Sequence, residues 1–158
     1  MKGGYITVRL TSRWPYNPIS LAIGVASGSH EFSHTITIIG NRAWEASMTH
    51  GCRAGAVGDL MKGIVRYRDV RVLVPDLQAA IAFGDAQVGK GYDFKGAIGI
   101  PLTYSTNWAD EGKWWCSELS FAQVMAGGTN LFDPDEMSRV RPCDFLLCTH
   151  PKSALMYA

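Results

Sequence analysis

Residues 33–48 read SHTITIIGNRAWEASM, and no other stretch limits the fold as much. Threonine and isoleucine are stiff at the first side-chain torsion and suit a pleated, half-buried surface, so residues 33–40 are expected to be a strand. Gly40-Asn41 supplies a tight turn, and residues 42–48 are short enough to return as the second strand of a hairpin. The expected core is therefore an antiparallel sheet.

Around this hairpin the sequence alternates strand and helix signals. YITVRL (residues 5–10) alternates like a strand, and residues 65–74 read as one strand or two. Asn17-Pro18 is expected to open a helix, with asparagine as cap and proline in the first turn, that stops near Gly28. A short helical turn is expected at residues 56–63, and a helix from Pro75-Asp76 to Val88. After a turn at residues 89–92, residues 93–99 form one more helical turn. A buried helix runs from Trp115 or Cys116 to the stop at Gly127-Gly128, with Leu119, Ala122 and Ala126 on one face. Pro134 and Pro142 each start a short turn. The fold class expected is α+β, an antiparallel sheet packed against helices, in a single domain over residues 1–158.

Composition excludes several functions. With 15 basic and 14 acidic residues the net charge is +1, which argues against a nucleic-acid groove or a polybasic membrane patch. The most apolar stretch, residues 19–26, is too short to span a bilayer, and the first 18 residues hold no continuous apolar run of the signal-peptide kind. A cytoplasmic or virion-associated location is expected. Cys52, Cys116, Cys143 and Cys148 form no CxxC pair and point to reduced thiols. His30 and His34 have the spacing of a helical metal pair, but Gly28-Ser29 and a strand flank them. The glycine-rich pieces lack phosphate-binding spacings, and Asp133, Asp135 and Glu136 lack an EF-hand frame, so no metal or cofactor is expected.

The chemistry concentrates at residues 111–124, EGKWWCSELSFAQV. Cys116 stands at a helix N-terminus, where free backbone N–H groups and the helix dipole favour an anion. A thiolate is stabilised there, and the same N–H groups can hold an oxyanion. A small buried hydrophobe is the plain alternative. Of His30, His34, His50 and His150, His34 sits on the stiffest element and is the best base; a strand-end histidine bonded to a carbonyl is its alternative. Glu45, eleven positions later, comes near His34 if the hairpin forms, and could accept Nδ1–H and fix the tautomer. Otherwise it is a solvated glutamate. Trp114 and Trp115 are expected to wall the cleft, with one of the two simply in the core.

The order SHTITIIG, WEA, GKGYDFKG (residues 89–96) and WCSEL resembles the circularly permuted papain-like amidases, the YiiX/YebB-like branch of the NlpC-type cysteine hydrolases, and more distantly the lecithin–retinol acyltransferase family. In that branch the histidine strand precedes the cysteine helix. The resemblance covers roughly residues 18–148. It implies Cys116 as nucleophile, His34 as general base and Glu45 as the third residue, with Tyr92 and Asp93 in a turn beside the site. Tyr92, Trp114, Trp115 and Ser117 become candidates for substrate contact. VRPCDFL (residues 140–146) resembles the family's closing turn, whereas the "GD" dipeptide that commonly opens the fold is replaced by YITVRLTS, and Trp115 stands where tyrosine is frequent.

The activity this implies is amide hydrolysis through a Cys-His-Glu triad and an acyl-enzyme, with a peptidoglycan stem peptide as the leading substrate and a lipid acyl group second. Three rivals stand beside it: a binding module with an inactive triad, a structural component of a larger assembly such as a phage tail, and, within the enzyme class, a Cys52–His150 pair. Cys52 lies in THGCRAG, which reads as a glycine-rich turn.

Overall fold

The computed structural model describes residues 2–12, 31–97, 110 and 112–158. The helix expected at Asn17-Pro18, His30, and the end of the turn at residues 93–99 lie outside them. Among the described residues six strands form one antiparallel sheet: β1 (Gly4–Ser12), β2 (His34–Ile39), β3 (Arg42–Ser47), β4 (Gly51–Ala56), β5 (Arg66–Val74) and β6 (Met156–Tyr157), in the spatial order β4-β3-β2-β1-β5-β6. Helix α1 (Val57–Leu60) follows β4, α2 (Leu77–Gln87) follows β5, and α3 (Cys116–Ala126) is followed by 3-10 turns at Pro134–Arg139 and Pro142–Leu146. The protein is an α+β structure, and no described helix is long and apolar enough to cross a membrane.

The alternation of β1 and β5 explains the main core. Ile6, Val8 and Leu10 share one side of β1, and Val8 stands opposite Val70 and Ile6 opposite Val72. These residues pack with Trp44, Ala80, Phe121, Val124 and Phe145, so α2 and α3 cover that face. Each such fully buried aliphatic side chain contributes about 1.5–3 kcal/mol. β2 is buried on both sides, because Ile36 and Ile38 pack with Ala43, Leu60 and Ile64 in a second cluster beside α1. The Asp76 side chain caps α2 by accepting from Ala79 N at 3.0 Å, and Gly128 closes α3 with φ +91°.

One expectation is corrected: only Thr49 and His50 of THGCRAG lie in a turn, and Gly51–Gly55 belong to β4. Its pairing with β3 runs from Arg42↔Ala56 to Ser47↔Gly51. Gly51 makes the strand possible. Its φ is +63°, and a Cβ there would lie 2.4 Å from the Lys90 carbonyl oxygen. That close approach lets Cys52 N donate to Lys90 O at 2.8 Å and Gly89 N to Cys52 O at 2.9 Å, so the segment that carries GKGYDFKG is stitched to the sheet edge.

Candidate active site

α3 begins in a fixed place. Asp93 N donates to Trp114 O at 3.0 Å and Trp114 N donates to Gly91 O at 3.2 Å, a short parallel bridge between Tyr92 and Trp114 just before the helix. Asp93 is buried and its carboxylate accepts from Gly96 N at 2.8 Å and Asp110 N at 3.0 Å. YDFKG is therefore a self-capped turn that sets the chain two residues ahead of Cys116. A second tie lies one turn further on. Ser120 Oγ donates to Thr35 Oγ1 at 3.0 Å and Thr37 Oγ1 donates to Ser120 Oγ at 3.1 Å, all buried. Ser120 lies four residues after Cys116, on the same side of the helix, and Thr35 adjoins His34. This hydroxyl chain locks the cysteine helix to the histidine strand.

Cys116, His34 and Glu45 come together there. The β2–β3 ladder ends at Thr37↔Trp44, and beyond it His34 Nε2 donates to Glu45 Oε2 at 2.7 Å. The imidazole also interacts with the Cys116 thiol, each group favouring the charged form of the other. Glu45 therefore holds Nε2, not the Nδ1 expected from sequence, and Nδ1 is left for the thiol. The difference arises because the ring is clamped between a neighbouring strand and a helix end, and the direction of each is set by packing.

The charges support one another. Burial pushes the Cys116 thiol up, but the His34 charge and hydrogen bond, with the backbone N–H groups of Thr35 and Ser117, outweigh it and hold the thiol below its ordinary value. Burial likewise disfavours a charged His34, yet the Cys116 thiolate and the Glu45 carboxylate raise it to about 10. For Glu45, whose side chain is 0% exposed, burial is overcome by His34 and Arg53, and its pKa falls to about 2. Both shifts favour a thiolate beside an imidazolium, with the carboxylate behind it. The solvated alternative for Glu45 does not describe this residue.

The other candidates occupy distinct positions. Trp115 is buried, with its indole N–H finding no acceptor among the described residues, and it forms part of the core. Trp114 is half-buried, stacks edge-to-face on Phe83 at 5.8 Å and donates to Gln87 Oε1 at 3.0 Å. The Ser117 hydroxyl donates to Val140 O at 2.5 Å, so it ties α3 to the C-terminal turns. Tyr92 has its phenol pushed well above the usual range by burial and then by the Cys116 and Asp93 charges, so it stays protonated within electrostatic reach of the thiolate.

The Cys52–His150 pair is excluded by the strand order. Cys52 is on β4, while residues 151–153 bond to β5, four strand spacings or roughly 19 Å across the sheet. Burial also pushes the Cys52 thiol up to about 11.

Two residues near the site are not singled out by the sequence. Arg53 Nε donates to Glu45 Oε1 at 2.7 Å from the position directly opposite on β4. The alternation of β4 would have placed Arg53 beside Glu45 had the strand been recognised. Glu118 accepts from Trp115 N at 3.5 Å, and burial with the Asp93 charge raises it to about 7 against that bond. Its position three residues after Trp115 is the only local signal for this contact. Among the described residues no cluster of three or more histidine, cysteine or acidic side chains could hold a metal ion.

No family model matches this chain, and no curated protein matches it significantly.

Proposed function

We propose that the chain is a thiol hydrolase with a permuted papain-like fold, cleaving an amide bond through Cys116, His34 and Glu45. The observation that carries this reading is the continuous contact from a thiol at a helix N-terminus, through an imidazole, to a buried carboxylate 2.7 Å away. The chain order, histidine strand before cysteine helix, favours the permuted arrangement.

In the reaction the Cys116 thiolate attacks the carbonyl carbon and a tetrahedral oxyanion forms. Backbone N–H groups at the start of α3 face the developing charge. The His34 imidazolium gives its Nδ1 proton to the leaving amine, and the C–N bond breaks to leave a thioester on Cys116. The now neutral imidazole takes a proton from water, whose oxygen attacks the thioester; the acid departs and the thiolate–imidazolium pair returns. Glu45 keeps Nε2–H bonded throughout, so the tautomer that offers Nδ1 to the reacting atoms is the one present.

A peptidoglycan stem peptide is the leading substrate. The test is incubation with peptidoglycan fragments and with a thiol-directed activity probe, read by mass spectrometry. New amine and carboxyl termini in the fragments, with probe on Cys116, support the reading. Release of a fatty acyl group from lipid in their place would assign the same triad to a lipid hydrolase or acyltransferase. Ligand capture without turnover would assign a binding or structural role.

A further inference from the structure

Glu45 is an unusual third residue in one respect: both of its oxygens are occupied from opposite sides. Oε2 accepts from His34 Nε2 at 2.7 Å, and Oε1 accepts from Arg53 Nε at 2.7 Å and forms an ion pair with Arg53 Nη2 at 2.5 Å. The carboxylate is fully buried, whereas the Arg53 side chain is 33% exposed and so brings its charge in from the protein surface. Glu45 and Arg53 stand directly opposite each other on β3 and β4, so the ladder itself holds the two side chains in register. A buried carboxylate with a single partner would be costly to ionise; two partners on separate oxygens fix both its charge and its direction.

Resting on the hydrolase reading above, we propose that Arg53 is a positioning residue for the Cys116–His34 pair, holding the Glu45 carboxylate ionised and aimed at the imidazole. The chain of groups is then Cys116, His34, Glu45, Arg53, ending at solvent. The other charged or titratable groups around it are few among the described residues. Tyr92, Asp93 and Glu118 are near the Cys116 end, and Asp59 on α1, engaged with Lys62, is near Arg53.

The sign of the effect follows from charge. Removal of the Arg53 cation makes protonation of Glu45, His34 and Cys116 easier, so the acid limb of thiolate reactivity must move to higher pH. A purely structural arginine would alter stability without moving that limb. The experiment measures the rate of Cys116 carbamidomethylation by iodoacetamide from pH 3 to 10, located by mass spectrometry. Wild type, Arg53→Met, Arg53→Lys, Glu45→Gln and the double variant Glu45→Gln/Arg53→Met are compared, with folding checked by circular dichroism.

In Arg53→Met the acid limb should rise by about one pH unit, a roughly tenfold slower reaction at a fixed pH on that limb. Arg53→Lys should stay close to wild type, and the shift should shrink by at least half in the Glu45→Gln background. Arg53→Gln carries the same expectation should Arg53→Met not fold. A limb unmoved in Arg53→Met, or a shift undiminished without Glu45, overturns the role of Arg53 while leaving the triad standing. A wild-type rate that rises only in the range of an ordinary thiol overturns the triad and this inference together.

Discussion

Glu45 Oε2 lies 2.7 Å from His34 Nε2, and this bond occupies one nitrogen of a ring whose charge is also coupled to Cys116. It converts three residues on three elements into one unit, and the unit sets what substitutions must do.

Cys116→Ala should abolish turnover of a peptide amide, leaving only the help of oxyanion donors and substrate binding, a loss on the order of 10⁴-fold or more. His34→Ala should cost nearly as much, because nucleophile and base act together and their losses do not add. Glu45→Gln should cost less, about 10²-fold, since it holds the base and joins no bond-making step. Steady-state rates on the three variants check the order. Undiminished turnover in Cys116→Ala ends the thiol mechanism.

The four thiols should differ in reactivity. Cys116 is held below its ordinary pKa by His34, while burial drives Cys52 up to about 11. At pH 7 iodoacetamide should label Cys116 before Cys52, Cys143 or Cys148 in the folded protein and should lose that preference in denaturant. Peptide mapping after brief labelling decides it, and equal labelling in the native state would count against a thiolate at the helix start.

The upper pH limb separates attack from leaving-group protonation. His34 loses its proton near pH 10, above which the thiolate persists but the acid that protonates the leaving amine is gone. Hydrolysis should fall through about pH 10, whereas alkylation of Cys116 should not. Parallel profiles of the two reactions test this, and a joint decline would point to unfolding.

Stability should show the same charges with opposite signs. Glu45 is depressed to about 2 from an ordinary value of 4.5, so its contribution is complete above pH 4.5 and is lost as pH falls through about 2. His34 is raised, so its contribution is complete below its ordinary value of 6.5 and is lost as pH rises through about 10. The melting-temperature gap between wild type and Glu45→Gln should be level from pH 4.5 to 6.5, narrow below 4.5 and narrow again toward pH 10. A gap that widens toward acid would contradict the ionised carboxylate.

Gly51→Ala should destabilise the protein by about 1–3 kcal/mol, from a positive φ and a clash with backbone. The added Cβ would stand 2.4 Å from Lys90 O, where no flexible side-chain end can yield. Because the Lys90 segment leads into the Tyr92–Trp114 bridge, turnover should fall more than stability alone explains; chemical denaturation and rates on the same sample test both effects.

The sequence by itself determined the elements whose causes are local. The β-branched run before Gly40 made β2, and Asp76, Gly128, Pro134 and Pro142 marked helix or turn ends through capping and fixed torsions. Cys116 at the mouth of α3 was legible for the same reason, since apolar periodicity and the glycine stop define that helix. Tertiary structure alone decided the rest. β4 has glycine, arginine and alanine where strand formers would be expected, and it exists because β3 and the Lys90 backbone pair with it on both sides. The central place of β1, the hydroxyl chain from Thr35 to Ser120 and the choice of Nε2 for Glu45 each join residues far apart in sequence. Local propensity carries no information about such contacts; they are fixed only when sheet and helices pack and each buried polar group must find its partner.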